Sequence, residues 1–303
     1  CKDILNIFKS LKKKHTKPNL YQLQLGKFNK KKLFDVVITE GWPGGFLSFD
    51  RKMLKKLSRY VKPGGLLLIS FFPAIGAMST YLRRFIAYRL ISNNLTFQKK
   101  TIILEKAFSN HLNNLKSMGR SKKHWIQDSI LNPYICVAHN SPKICNTIFK
   151  DNFEIYNSIP KFSNDWRWYK SLHGKKKKFN KQFISEYEKV NHCLIDYKME
   201  GFTRSQKKNI KLEKMCNDFA KLTKDYEKSD QKIYIKKVEP LLEKIIENIK
   251  PEFPKKVINS LQEANNLLKK TTFSDKDVAK MKFFSSLFGR EQCYLSFINS
   301  QKI

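Results

Sequence analysis

Hydrophobic and polar residues recur along this chain with two periods, and the switches between them mark its elements. Ile4, Leu5, Ile7, Phe8 and Leu11 fall at helical spacing over residues 2–13. "NLYQLQLG" (19–26) alternates as a strand does and stops at Gly26. After lysines 30–32, "LFDVVIT" (33–39) carries Val and Ile on both faces, the pattern of a strand buried between the helix layers of a parallel sheet. Residues 48–61 spell a helix, with Ser48 in capping position and Met53, Leu54, Leu57 and Val61 along one side. "KPGG" (62–65) is expected to end that helix, and "LLLISFF" (66–72) to be the next buried strand.

From 74 to 150 the period turns helical. "STYLRRFIAYRLI" has an apolar stripe through Tyr81, Leu82, Phe85, Ile86 and Ile91, and further helices are expected at 104–118, 121–131 and 142–150. "FEIYNSIP" (153–160) reads as a strand closed by Pro160. Helices follow at 179–196, 206–226, 230–249, 253–270 and 275–288, the last opened by a Ser274/Asp277 capping box. Behind this helical block "QCYLSFIN" (292–299) alternates again, Cys293, Leu295 and Phe297 against Tyr294, Ser296 and Ile298. This order predicts an α/β fold with a doubly wound sheet, whose ligands sit beyond the carboxyl ends of the strands. Those ends are Thr39–Gly45 and Ser70–Pro73.

Composition adds limits. The 303 residues, 41% hydrophobic and 13% aromatic, suffice for a packed core in one large or two ordinary domains. A net charge of +34 invites a nucleic-acid reading, but only nine of the 60 basic residues are Arg, the side chain that reads bases bidentately. The lysine excess fits either the codon bias of an AT-rich genome or a polyanion partner, and a weak nonspecific attraction to polyanions at low salt follows in both cases. The six Cys and six His complete no zinc spacing, so no metal is expected, and reduced thiols point to a cytoplasmic location. The longest apolar run, "LLLISFFPAIGAM", is too short to span a bilayer. The chain opens at Cys1 directly in a helix-like pattern, as expected of a fragment or processed product.

"FDVVITEG" (34–41), the helix over 51–60 and "VKPGGLLLIS" (61–70) resemble the fourth strand, following helix and fifth strand of class I S-adenosylmethionine-dependent methyltransferases. The resemblance covers roughly residues 1–73. It implies a partial Rossmann-like methyltransferase sheet built from 1–160 plus 291–303, with 74–150 a helical elaboration and 161–290 a large helical insertion. Residues 153–159 would be the family's sixth strand, and 292–298 its seventh, tucked antiparallel beside the fifth. The family's Gly-rich loop and the acid ending its second strand have no counterpart here. "NLYQLQLG" matches the third strand, with Gln24 and Gly26 where an acid is common, so this stretch alone is expected to hold cofactor poorly.

The activity implied is methyl transfer from S-adenosylmethionine to a small or amphipathic acceptor. An RNA-binding or RNA-modifying protein, or a non-catalytic remnant of the fold, are the alternatives. Glu40 and Gly41 match the segment lining the methyl donor, and Trp42 offers an aromatic face to a sulfonium cation; alternatively Glu40 caps the following turn and Trp42 packs on the sheet edge. In "HWIQDSILNP", His124 and Asp128 share a helix face and could be a base with its orienting carboxylate, or an ordinary surface pair. Phe71, Phe72 and Trp125 are candidates for acceptor contact. Trp166, Trp168 and Tyr169 suit either an acceptor wall or a hydrophobic plug.

Overall fold

The runs "FDVVIT" and "LLLISF" lie side by side. β1 (Phe34–Thr39) runs parallel to β2 (Val61–Phe71), with Val36 opposite Leu66 and Thr39 opposite Ile69. The computed structural model describes residues 27–29, 33–40, 51–116, 118–135, 139–149, 152–163, 179–229 and 232–301. The chain divides into two units, Cys1–Leu33 and Phe34–Ile303. The helix expected at 2–13 and the strand at 19–26 lie outside the described residues. The sheet and its helices belong to the second unit.

β3 (Phe153–Ile159) and β4 (Cys293–Asn299) complete a four-stranded mixed sheet in the order β1-β2-β4-β3. β4 is antiparallel to both neighbours, with Leu66 opposite Ile298 and Phe153 opposite Asn299. The alternating tail therefore forms a strand, and it enters the sheet between β2 and β3 after more than a hundred intervening residues. α1 (Arg51–Ser58) connects β1 to β2. Between β2 and β3 come α2 (Ala74–Leu90), α3 (Phe97–Asn113), α4 (Lys122–Trp125, running into a π-helical turn Ile126–Ile130) and α5 (Pro142–Phe149). Between β3 and β4 come α6 (Phe179–Val190), α7 (Gln206–Ser229), α8 (Lys232–Ile249), α9 (Lys255–Lys269) and α10 (Asp275–Ala279).

The core sits on one face of the sheet. Leu67, Ile69 and Phe71 of β2 and Leu295 and Phe297 of β4 are fully buried. Phe149 of α5 stacks tilted on Phe153 and edge-on to Phe297, and Tyr187 of α6 meets Phe71 edge-on. Burial of this many large side chains, at ~1.5–3 kcal/mol each, is the main force ordering the layer. The opposite face corrects the expectation of a strand buried on both sides. Val36 is 50% and Ile38 64% exposed. β1 has one strand neighbour among the described residues, and side chains two apart share a face, so these two point away from the packed side.

α2 is buried nearly all round, its polar Ser79, Thr80, Arg83 and Arg84 as well as Tyr81, Leu82, Phe85 and Ile86 of the apolar stripe. Phe85 meets Phe219 and Tyr226 of α7. Two arginines of α2 are also fully buried. Arg84 is gripped bidentately by Glu227 of α7 at 2.6 and 2.7 Å, and donates to the carbonyls of Ser129 and Asn132. Arg83 donates to the carbonyls of Ser79 and Phe284 and lies 3.8 Å over the Phe288 ring; burial lowers its pKa to about 9.

Several boundaries move. α1 ends at Ser58, and "KPGG" lies inside β2, where Gly64 takes φ +74° beside a shift of the β1–β2 register. The helix expected at 104–118 starts earlier, at Phe97, because Thr96 caps it. The Ser274/Asp277 capping box forms, but its helix runs only five residues rather than to 288. The reason is Glu263, whose carboxylate accepts the backbone N–H groups of Lys282, Phe283 and Phe284 and so draws them off a helical ladder. Cys145, Cys193, Cys216 and Cys293 are free thiols. Among the described residues no helix is long and apolar enough to cross a membrane.

Candidate functional site

Parallel pairing brings the carboxyl ends of β1 and β2 together, so Glu40 and Phe72 leave the sheet side by side. A cleft of about 630 Å³ opens there. Glu40 is held from the tail strand: its Oε1 accepts from the Tyr294 hydroxyl at 2.6 Å and from Gln292 Nε2 at 3.1 Å. Tyr294 pairs with Ser70 of β2, and the small serine lets the phenol cross that strand to reach the end of β1. The hydrogen bond to Glu40, with burial second, pushes the Tyr294 phenol up to about 12. Phe72 is fixed through its backbone. Its N–H donates to Asn140 Oδ1 at 2.7 Å, while its carbonyl accepts from the Asn140 N–H and is met by His139 Nδ1 at 3.1 Å. Burial holds His139 down to about 4, so Nδ1 carries the proton of a neutral ring and donates it to that carbonyl.

The opposite wall comes from the helical segments. Trp125 of α4 lies edge-on to Phe288, whose carbonyl accepts the Tyr197 N–H at 2.8 Å. The chain then crosses α2 at van der Waals limit: a Cβ on Gly76 would stand 2.1 Å from the Arg290 carbonyl oxygen, and one on Gly289 2.0 Å from that of Gly76. Only glycines permit this approach, and it places Arg290, Glu291 and Gln292 along the cleft. Glu291 accepts from the Thr80 hydroxyl, and burial pushes its carboxyl above the ordinary carboxylate range. At the rim Arg120 binds Asp128 at 2.6 Å.

Of the residues singled out from sequence, Glu40, Phe72, Trp125 and Asp128 line this one cleft. Two do not. Phe71 is fully buried on the helix-covered face against Phe162 and Tyr187, because it alternates with Phe72 along the strand and so points into the core. His124 is exposed and does not line the cleft, and the carboxylate expected to orient it is taken by Arg120, which precedes the Ser121 cap of α4. Gly41, Trp42, Trp166, Trp168 and Tyr169 lie outside the described residues. Sequence reading missed Gln292, Tyr294, Lys116, Tyr197 and the Phe288–Glu291 run. The i, i+2 spacing of Gln292 and Tyr294 was the one available signal, since it sets both on one face of the tail strand.

Among the described residues no cluster of His, Cys, Asp and Glu could hold a metal ion. Compared with protein-family models, with curated proteins and with solved structures, the chain matches none. The chemistry of the cleft must therefore be read from its own groups. An anchored carboxylate beside aromatic rings attracts a soft cation such as a sulfonium.

Proposed function

We propose that this chain carries four neighbouring strands of a class I S-adenosylmethionine-dependent methyltransferase sheet, with residues 161–290 inserted between β3 and β4. One observation carries the reading: β1 and β2 are parallel and feed one cleft, while the last strand lies antiparallel between β2 and β3. A crossover helix followed by a terminal strand threaded into that slot is the arrangement the resemblance implies. The placement of Glu40 and Phe72 at the two strand exits adds to it.

S-adenosylmethionine, when bound, supplies an electrophilic methyl group on a sulfonium. The residues here align and shield. Glu40 would stand against the positive sulfur, with Oε1 committed to Tyr294 and Gln292 and Oε2 as its remaining acceptor. Phe72, Trp125 and Phe288 would exclude water from an acceptor in the cleft. The test is calorimetry of the full-length gene product with S-adenosylhomocysteine. Saturable binding that weakens at least tenfold in Glu40→Ala is expected; no heat at high protein concentration overturns the reading in favour of a non-catalytic descendant of the sheet.

A further inference from the structure

Three carboxylates and three cations line the cleft, and only one pair of them is in contact. Glu40, Asp128 and Glu291 line it, and each already has a donor from the protein: Tyr294 and Gln292, Arg120, and Thr80 respectively. Burial further favours the neutral form of Glu291. Of the three lining cations, Arg120 is neutralised by Asp128. Lys116 and Arg290 have no carboxylate partner among the described residues; the Arg290 guanidinium donates only to the neutral carbonyl of Tyr197, at 3.3 Å. Arg290 is nevertheless held in place, since its N–H donates to the Leu194 carbonyl at 2.8 Å and its neighbour Gly289 donates to Ser79 Oγ at 2.9 Å. Phe72, Trp125, Tyr197 and Phe288 line the same cleft.

Two cations with no carboxylate in contact among the described residues, at a ring-lined cleft, suit one chemical class. We infer that the cleft binds a planar aromatic ligand bearing an anionic group, a phosphate or a carboxylate, with the anion on Lys116 and Arg290 and the ring among Phe72, Trp125 and Phe288. A volume of about 630 Å³ accommodates such a ligand beside other occupants of the site. A guanidinium grips either anion in a fork, and an ammonium adds a mobile point charge. As the identity of the methyl acceptor, this inference rests on the methyltransferase reading; as a binding site it does not.

The experiment titrates the full chain, without methyl donor, with phenyl phosphate, benzoate and phenol. At least one anion is expected to bind ten times or more tightly than phenol. Phenyl phosphate above benzoate assigns a phosphate; equal binding assigns any planar anion. Lys116→Gln and Arg290→Gln should each cut anion affinity about tenfold and leave phenol unchanged. Lys214→Gln, on a lysine of α7 already paired with Asp218, should change nothing. Phenol binding as tightly as the anions, or anion affinity unaltered in Lys116→Gln, overturns the inference. Lys116 is exposed, so its variant keeps the test open if Arg290→Gln fails to fold. Absence of S-adenosylhomocysteine binding in a separate titration would remove the methyltransferase reading and leave this result standing.

Discussion

Replacing Glu227 by alanine removes the carboxylate that pairs with buried Arg84 and half-buried Lys224 at once. Its Oε1 and Oε2 meet Arg84 Nε and Nη2 at 2.6 and 2.7 Å, and Oε2 also meets Lys224 Nζ at 3.0 Å. The Arg84 and Glu227 side chains are 0% and 5% exposed, so neither charge can turn to water. After the change Arg84 keeps two carbonyl acceptors, Ser129 and Asn132 at 3.1 Å, which are neutral and cannot balance it. Breaking a buried pair from one side costs about 3–5 kcal/mol, the loss expected of Glu227→Ala; Lys224 adds little, since it keeps the Pro133 carbonyl at 2.8 Å. Denaturant unfolding, with the slope checked for two-state behaviour, reads the loss. The double variant Arg84→Met, Glu227→Leu removes charge from both sides and should recover much of it, a favourable coupling of about 0.5–3 kcal/mol. A loss below about 1 kcal/mol in Glu227→Ala, or strict additivity in the double variant, would refute the assignment of this pair as the clamp between α2 and α7. Ser129 lines the cleft and is tied to Arg84, so Glu227→Ala should also weaken ligand binding there.

Gly289→Ala must push a Cβ into a backbone oxygen 2.0 Å away, and overpacking of this kind costs about 1–3 kcal/mol or more, so the variant should unfold earlier in denaturant and lose cleft binding; a parent-like midpoint would contradict the crossing. Tyr294→Phe should remove one late-ionising phenol from an ultraviolet titration, the one held up to about 12 chiefly by its hydrogen bond to Glu40. Because the folded value lies above the ordinary one, that tyrosine withdraws stability as pH rises from about 10, and the variant should be less alkali-sensitive. His111, His139 and His192 are held down, chiefly by burial, to about 3, 4 and 4. Their contribution is complete above about pH 6.5 and is lost as pH falls, so the unfolding midpoint should drop steadily between pH 6.5 and 4. Glu213 opposes this trend: burial and then Glu188 push it up to about 7, a contribution present at acid pH and lost as pH rises through 7. Glu213→Gln should therefore steepen the acid limb and raise stability at pH 8; an unchanged pH profile would contradict its burial as a shifted carboxyl.

How much of this was legible in the chain depends on which interactions are local. β1 and β2 were readable as short apolar runs ending at turn residues, β3 as an apolar segment closed by Pro160, and β4 by strict alternation. Even the remote tail announced itself through Cys293, Leu295 and Phe297, which all point into the core. Helix starts with a side-chain cap, at Thr96, Ser121 and Ser274, were or could have been read from three-residue spacings. The stop of α10 was not, since Glu263 captures its would-be ladder from another helix. The same holds for the site. Glu40 and Phe72 follow from strand exits, but Arg290 and Lys116 reach the cleft only through long-range packing, and the Gly76–Gly289 crossing joins positions no local pattern connects. Arg83 and Arg84 lie off the apolar stripe of α2, and only the fold shows that they are buried.

The central claim is that a methyl donor sits where β1 and β2 leave the sheet. Ultraviolet crosslinking of methyl-labelled S-adenosylmethionine to the full-length gene product, followed by peptide mapping, addresses it directly. Label confined to the peptide that spans Glu40, and chased by S-adenosylhomocysteine, is the expected outcome. Label on helices α7 to α9, or none above a denatured control, would contradict it.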